Sequence, residues 1–236
     1  MNAGGLILRG FEVTYDEEHW ALLWSFRASA IRIMSALATR GIRSGIHGSV
    51  ARGDVDPGSD VDVIVSEPVS SYSVELALTL ADFKLYSRRI AQATPSHTPK
   101  AHIYLDTDEK LCVTFPMIPL RPLEHEFYRF GGYLELPQLL GRERVPGCDK
   151  RPFLIQPTMT GHVESPVRGR EAEVAKILGV NLQIVQERVR VLTRRQEIGR
   201  TGIVISQEVR EGETFEEVLR RLARSNPVVA RRLRGV

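Results

Sequence analysis

Two aspartates, Asp60 and Asp62, stand two positions apart at the start of a short run of mainly β-branched residues, Val61 to Val65. This run predicts a buried strand. Successive strand side chains point to opposite faces, so the two carboxylates share one face, about 6.6 Å apart along the chain. Carboxylates this close raise each other's pKa unless a cation neutralises them. Because Mg²⁺ prefers oxygen ligands, the pair predicts a magnesium site.

A glycine-rich turn precedes the two aspartates. Gly48 and Ser49 follow an apolar stretch, and the chain turns back at Gly53, Pro57 and Gly58. Glycine permits close approach of the backbone, so that its N–H groups can surround phosphate oxygens. We therefore expect a triphosphate at the Gly-Ser turn and a metal ion at the aspartates.

The stretch from Ile46 to Val65 resembles the signature of the DNA polymerase β-type nucleotidyltransferase superfamily, in which Gly-Ser and a spacer precede Asp-x-Asp on a strand. In small prokaryotic nucleotidyltransferases the spacer often reads Arg-Gly-Asp-x-x-x-x-Ser-Asp-x-Asp. Here residues 52–62 read Arg-Gly-Asp-Val-Asp-Pro-Gly-Ser-Asp-Val-Asp. The similarity is tight over this stretch and loose over residues 10–120. The structural alternative is an acidic turn that happens to carry glycines.

The resemblance implies a reaction and a set of site residues. The expected reaction transfers a nucleoside monophosphate from a nucleoside triphosphate to a hydroxyl group and releases pyrophosphate. Asp60 and Asp62 would be the catalytic residues and the ligands of one or two Mg²⁺ ions. The expected nucleotide-binding residues are Gly48, Ser49, Arg52 and Ser59.

Together with the resemblance, the surrounding pattern predicts an α+β fold, a nucleotidyltransferase palm with a mixed sheet flanked by helices. Acidic residues at 16–18 predict the start of a helix, apolar spacing carries it to Arg40, and Gly41 ends it. Ile42 to His47 is the first core strand, and Gly4 to Val13 is a short first strand or an arm. Helix–strand–turn–strand is the order of the palm in the resembled family.

Beyond the motif, Ser73 to Ala93 predicts the next helix, and Ala101 to Leu105 and Leu111 to Phe115 predict a hairpin. Active members of the resembled family usually carry a third carboxylate on the strand after this helix, where it activates the attacking hydroxyl. The counterpart here is the second hairpin strand, which contains no acid, and Asp106 and Asp108 lie at the hairpin tip. This departure leaves metal and nucleotide binding expected and puts turnover in question.

Length and composition set outer bounds. The 236 residues allow one large domain or two small ones, and we expect a nucleotidyltransferase domain at 1–165 and a second domain at 166–236. No apolar run approaches the roughly 18 residues that span a bilayer, and the first residues lack a basic start and a cleavage site. We therefore expect a cytoplasmic protein without a membrane partner. Cys112 and Cys148 lack metal-site spacing and support no disulfide framework.

Residues 171–195 resemble the helix-turn-helix of prokaryotic DNA-binding domains. Ala175, Gly179 and Val185 match the small residue, turn glycine and core aliphatic of that pattern, whereas Arg188 stands where an aliphatic residue is common. The resemblance implies a small helical domain whose second helix reads a nucleic-acid groove. The alternative is a helical hairpin that only packs on the first domain.

Three further signals lie in the C-terminal half. Gly202 to Ser206 predicts a wing strand, and Thr214 to Glu217 fits a capping box that begins a last helix. Residues 166–236 hold 15 Lys and Arg against nine Asp and Glu, which invites a nucleic-acid partner, with solvated Arg-rich helices as the alternative. His162 and Glu164 are a candidate ligand or acid/base pair, with an ordinary capped loop as the alternative.

Two further functions stay open. A regulatory DNA-binding protein with a catalytically weak or inactive nucleotidyltransferase domain would explain the missing third carboxylate and the basic C-terminal part. The other is a nucleotide-transferring partner of another protein, as in two-component toxin pairs that resemble this superfamily.

Overall fold

The computed structural model describes residues 7–199 and 203–234. Contacts divide the chain into two compact units, each made of three segments. The segments of unit 1 are Met1–Ser29, Ile46–Ser59 and Pro122–Thr201. The segments of unit 2 are Ala30–Gly45, Asp60–Arg121 and Gly202–Val236.

The helices and strands of the described residues have the following bounds. The helices are α1 (Glu17–Ala38), α2 (Ser49–Arg52), α3 (Ser71–Leu80), α4 (Pro122–Gly131), α5 (Leu136–Leu140), α6 (Glu171–Leu178), α7 (Leu182–Ile198), α8 (Phe215–Ser225) and α9 (Pro227–Arg234). The strands are β1 (Phe11–Thr14), β2 (Gly45–His47), β3 (Val61–Ile64), β4 (Ser87–Gln92), β5 (Lys100–Tyr104), β6 (Leu111–Pro116), β7 (Tyr133–Glu135), β8 (Gly147–Cys148), β9 (Phe153–Pro157), β10 (Gly161–Pro166) and β11 (Ile205–Glu208).

Unit 2 is built on a mixed sheet in which β11, β4, β5, β6 and β3 are neighbours in that order. β3 runs parallel to β6, and the other neighbours are antiparallel. Val63, Ile103 and Phe115 are fully buried, as expected for β-branched and aromatic side chains of a central sheet. The register places Cys112 directly opposite Asp62. Because opposite residues share a face, these two side chains lie on the same side of the sheet.

Unit 1 contains an antiparallel sheet in the order β1-β10-β9-β8. One apolar cluster joins Phe130 of α4 and Leu154 of β9 to Val174 of α6 and Val185 of α7. Residues on both sides of the predicted domain boundary after residue 165 therefore share one core. The contacts divide the chain differently from that prediction, because α6 and α7 bury their apolar faces against α4 and β9 and do not form a core alone.

The prediction of one helix from Ser73 to Ala93 is wrong. α3 ends at Leu80, and Asp82 adopts a left-handed backbone with a φ of 61°. The residues that follow form β4, which lies between β5 and β11 and buries Ile90 completely. The apolar residues of this stretch belong to two elements of different period, which a single helical pattern had merged.

The C-terminal segment belongs to unit 2. β11 pairs with β4, and Phe215 of α8 is fully buried. The wing strand predicted at 202–206 falls partly outside the described residues, and the observed strand is β11. The predicted capping box is confirmed: Thr214 Oγ1 accepts a hydrogen bond from the Glu217 amide at 3.2 Å, and the Glu217 carboxylate accepts one from the Thr214 amide at 3.0 Å.

Helix α1 is long and apolar enough to cross a membrane by length and composition alone, which differs from the expectation that no stretch approaches that size. Its Leu23, Ile33 and Leu37 are fully buried. A core helix of a globular protein passes the same test, so the finding is weak evidence for a membrane span. Gly41, with a φ of 69°, follows the helix at the position predicted for its end.

We predict that Glu216→Gln weakens folding at neutral pH. The Glu216 carboxylate accepts hydrogen bonds from the Ser71 amide at 3.0 Å and the Ser71 hydroxyl at 2.7 Å, at the start of α3. Burial acts to raise the pKa of Glu216, but these hydrogen bonds outweigh it, so the pKa lies below its ordinary value. The resulting stability is present above the ordinary glutamate pKa and is lost as the pH falls through the folded-state pKa.

Denaturant unfolding measures this effect. The variant should lose about 1 kcal/mol at neutral pH and almost nothing in acid, while Glu211→Gln at an exposed position serves as the matched control. An equal loss at both pH values would contradict the assigned role of the carboxylate.

Candidate functional site

Gly48 forms the tight turn between β2 and α2. Its φ of 84° lies in the left-handed region that favours glycine, and its amide donates to the Gly132 carbonyl oxygen at 3.0 Å. Among the described residues other than its chain neighbours His47 and Ser49, no heavy atom lies within 4 Å of the position that a Cβ would take. The backbone is therefore open on this side, as a phosphate-binding turn requires.

Ser49 and Ser59 meet at this turn. Ser49 Oγ donates to Ser59 Oγ at 3.3 Å, and the Ser59 oxygen also accepts from the Asp56 amide at 2.9 Å. Asp56 Oδ1 accepts in turn from the Gly58 amide at 2.6 Å, which closes a local side-chain turn. These hydrogen bonds join the chain reversal to the Gly-Ser turn, so Ser59 positions Ser49.

Arg52 is buried, and its guanidinium is bound within unit 1. Nε and Nη2 donate to the two carboxylate oxygens of Asp54 at 2.9 and 2.8 Å, a bidentate pair. Nη1 donates to the carbonyl oxygens of Gly131 at 2.5 Å and Cys148 at 3.3 Å. The predicted phosphate contact of Arg52 would compete with these hydrogen bonds, so the geometry favours a positioning role.

Asp60 and Asp62 lie in unit 2, Asp60 directly before β3 and Asp62 within it. Asp60 is exposed and Asp62 is partly buried, whereas Val61 and Val63 are buried in the core. The acidic and apolar side chains alternate along the strand. Carboxylate oxygens are the ligands that Mg²⁺ prefers, so the donor set of this strand fits a magnesium ion.

The strand beside Asp62 carries neutral polar groups in place of a third carboxylate. Cys112 stands opposite Asp62, and two residues further on Thr114 Oγ1 shares a hydrogen bond of 3.0 Å with His102 Nδ1. Burial raises the pKa of Cys112 to about 12, with Asp62 adding to the shift, and burial lowers the pKa of His102 to about 4. Both side chains are therefore uncharged at neutral pH. Within the described residues, no group of three or more His, Cys, Asp or Glu side chains is placed to hold a metal ion.

Two further acidic residues, Asp106 and Glu126, make structural contacts. Asp106 Oδ1 accepts hydrogen bonds from the Lys110 and Leu111 amides, both at 3.0 Å, and so closes the turn between β5 and β6. In unit 1, the Glu126 carboxylate accepts a hydrogen bond from the Asn181 amide at 3.1 Å. Glu126 thus joins α4 to the start of α7.

His162 and Glu164 belong to a network in unit 1. His162 Nε2 lies 3.2 Å from Glu164 Oε1, and His162 Nδ1 lies 2.7 Å from Tyr15 Oη. Glu164 also pairs with Arg151 at 2.7 Å. The sequence pattern predicts His162 and Glu164 as a candidate pair. It does not indicate that Tyr15, 147 residues from His162 along the chain, joins them.

The predicted pair of helices at 171–195 is present, with the turn between α6 and α7. Gly179 ends α6 with a φ of 62°, and the Asn181 side chain begins α7 by accepting a hydrogen bond from the Gln183 amide at 2.8 Å. Arg188 lies over the Phe127 ring, 5.0 Å from its centroid. The guanidinium here covers an aromatic ring where the pattern usually has an aliphatic side chain. Nucleic-acid binding by these helices stays a prediction.

Helix α1, the Gly-Ser turn and the aspartate-bearing strand follow one another in the order of a nucleotidyltransferase palm. Residues 28–110 match the family model described as Nucleotidyltransferase domain. The chain thus carries a nucleotidyltransferase domain of the DNA polymerase β-like type in this segment, and the resemblance carried by the motif is confirmed. The match does not extend to α6 and α7. A search of the curated proteins found no match.

We predict that Arg52→Met destabilises the fold by about 3–5 kcal/mol at neutral pH, because it leaves the largely buried Asp54 carboxylate without its ion-pair partner. Burial raises the pKa of Asp54 although Arg52 opposes the shift. A carboxyl group with a raised folded-state pKa is least destabilising when protonated, so the loss should shrink as the pH is lowered. Denaturant unfolding at neutral and acidic pH measures both effects.

The double variant Arg52→Met/Asp54→Asn is the matched control. Removing the uncompensated charge should recover part of the lost stability at neutral pH. Equal instability of the single and double variants would show that the ion pair is not what the Met substitution disrupts.

Proposed function

We propose that this protein is a magnesium-dependent nucleotidyltransferase that moves a nucleoside monophosphate from a nucleoside triphosphate to a hydroxyl acceptor in the cytoplasm. The observation that carries the proposal is that the family match at residues 28–110 contains the whole motif from Gly48 to Asp62. In the reaction, the acceptor oxygen forms a bond to the α-phosphorus, the bond to the pyrophosphate oxygen breaks, and the hydroxyl proton passes to water.

The Gly48–Ser49 turn is the proposed triphosphate-binding element. The open space beside Gly48 allows phosphate oxygens to approach the backbone. The Ser49 hydroxyl now donates to Ser59, and rotation would let it donate to a phosphate oxygen instead. Ser59 and Arg52 support the turn through their own hydrogen bonds, so we assign them positioning roles.

Asp60 and Asp62 are the proposed metal ligands. When bound, Mg²⁺ supplies positive charge that offsets the charge of the phosphate oxygens and the leaving pyrophosphate. The chain contributes the carboxylates of Asp60, directly before β3, and Asp62, within it. The neutral thiol of Cys112 adds no negative charge there, and oxygens of the nucleotide would have to complete the coordination.

We predict that Asp60→Asn abolishes Mg²⁺-dependent nucleotide binding while the fold survives. The side chain is exposed, so its loss removes a metal ligand without opening the core. Isothermal titration with each nucleoside triphosphate, in Mg²⁺ and in EDTA, measures the effect. We expect at least a roughly tenfold loss of affinity, about 1.4 kcal/mol.

Asp108→Asn is the matched control, since it removes the same charge from the exposed turn between β5 and β6. Its nucleotide affinity should equal that of the wild type. Unchanged binding in Asp60→Asn would overturn the site assignment. Equal losses of affinity in both variants would show that the change in net charge, and not the loss of a metal ligand, weakens binding.

The alternative function is a DNA-binding regulator with a catalytically weak or inactive nucleotidyltransferase domain. The neutral Cys112 opposite Asp62 favours it, because the position lacks a carboxylate to activate a hydroxyl group. A second observation is an open groove of about 810 Å³ beside α7, whose lining includes Arg168, Arg190 and Arg194. In the described part of the chain these three arginines form no ion pair. Glu171 and Glu197 also line the groove, so one net positive charge is left for phosphates.

Two binding measurements separate the functions. Salt-sensitive binding of duplex DNA that survives Asp60→Asn would support the regulator. Absence of binding to DNA or RNA at low salt would remove it. Transfer of label from an α-labelled nucleoside triphosphate to an acceptor would decide for the enzyme.

A further inference from the structure

Both tryptophans of the chain lie on the first half of α1, in unit 1. Trp20 and Trp24 stack with ring centroids 6.1 Å apart and 19° between their planes, and both are partly exposed. The Arg142 guanidinium lies 5.3 Å from the Trp24 centroid, and the Arg144 guanidinium lies 4.9 Å from the Trp20 centroid. We call these four side chains the Arg–Trp cluster.

Among the described residues, no carboxylate pairs with the arginines of the cluster, and the Arg144 guanidinium donates to the carbonyl oxygens of Gly161 and Thr158. A third guanidinium, that of Arg27, is 1% exposed and lies 5.5 Å from the Trp24 centroid. No ion pair of the described residues includes Arg27, Arg142 or Arg144, and the buried Nη1 of Arg27 has no hydrogen-bond acceptor among them. Burial lowers the pKa of Arg27 to about 10, and Arg144 adds to this shift. An anionic ligand would relieve this excess of positive charge.

Arg142 is held over Trp24 by an unfavourable backbone conformation. Its φ is 59°, in the left-handed region that costs about 1–2 kcal/mol for a residue with a Cβ. Glycine usually occupies this position after a helix, yet the preceding residue is the glycine, Gly141, with a φ of −71°. The Arg142 side chain is exposed, so burial does not offset the strain. Such strain concentrates at functional sites.

Arg27 connects the cluster to the Gly-Ser turn. Its Nε and Nη2 donate to the carbonyl oxygens of Val50 and Ala51 in α2, both at 3.1 Å. Helix α2 begins at Ser49. Within unit 1, one side chain therefore spans the distance from the cluster to the proposed triphosphate-binding turn.

We propose that the Arg–Trp cluster binds single-stranded nucleic acid. Bases stack on aromatic rings irrespective of sequence, and the exposed Arg142 guanidinium is placed to contact a phosphate between them, while Arg144 is held by its carbonyl partners. An acidic peptide would match the charge but would offer no planar groups to the indole rings. If the proposed function holds, the bound strand is the acceptor, and one of its hydroxyl groups receives the nucleoside monophosphate.

Tryptophan fluorescence tests this proposal directly, since both tryptophans lie in the cluster. Titration of the full chain with a single-stranded oligonucleotide of about 12 residues should quench the emission and reach saturation. An abasic oligonucleotide of the same length and a polyglutamate peptide carry charge without bases, so they should leave the emission unchanged. Absence of quenching by the oligonucleotide, or equal quenching by either control ligand, overturns the proposal.

Variants locate the binding surface. Trp24→Ala should lower affinity for the oligonucleotide about 5- to 150-fold, the range of one lost stacking contact. Arg142→Gln alters an exposed side chain, so its fold should survive while the salt dependence of binding falls by about one charge. The control Arg224→Gln removes an exposed arginine of α8 and should change neither quantity. Equal losses in Arg142→Gln and Arg224→Gln would contradict a specific site.

Asp60→Asn separates this proposal from the proposed function. The variant should lose metal-dependent nucleotide binding and keep oligonucleotide quenching. Quenching without nucleotide binding in the wild type would leave the cluster as a nucleic-acid site and overturn only the transferase. Nucleotide binding without quenching would overturn the cluster alone.

Discussion

The arrangement of unit 1 depends on the hydrogen bonds and the ion pair that the buried guanidinium of Arg52 makes. Burying a charge is costly without an opposite charge and filled hydrogen bonds, and Arg52 has both in Asp54 and the carbonyl oxygens of Gly131 and Cys148. These contacts tie the last residue of α2 to the end of α4 and to β8, 79 and 96 residues further along the chain. Gly131 permits this approach, because a Cβ there would lie 2.3 Å from the His47 ring.

In unit 2 the main constraint is the negative charge of the two aspartates. Asp60 and Asp62 concentrate negative charge at the start of β3, while Cys112 and His102 beside them are neutral. A site with two carboxylates neutralises less of a divalent charge than a site with three. Metal and nucleotide are therefore expected to bind together, each providing charge that the other lacks.

Local features of the candidate site could be predicted from the sequence because single residues dictate them. Glycine at a positive φ marks the turn at Gly48, and alternation of valine with aspartate marks β3 and its two faces. The helix predicted over 73–93 was wrong because two elements of different period adjoin without a strong breaker between them. The six residues 81–86 that separate them contain neither glycine nor proline. Asp82 adopts the left-handed backbone of the turn, a conformation that aspartate can adopt.

Long-range contacts could not be predicted, because one sequence contains no information on which distant residues meet. The motif implies that Arg52 binds the nucleotide, whereas in the structure its guanidinium donates to carbonyl oxygens of α4 and β8. The Arg–Trp cluster joins α1 to residues beyond 140, and no local pattern links Trp20 with Arg144. The core that α6 and α7 share with β9 could not be predicted for the same reason. The apolar spacing of the two helices indicates that they pack on each other, but it does not indicate that they also pack on β9.

The most direct test of the central claim is electron paramagnetic resonance with Mn²⁺ in place of Mg²⁺. We expect wild-type protein and a nucleoside triphosphate together to remove more of the free Mn²⁺ signal than the nucleotide alone, and Asp62→Asn to abolish this difference. Wild-type and Asp62→Asn proteins that leave the same free Mn²⁺ signal would contradict the claim that these aspartates bind a metal ion with the nucleotide.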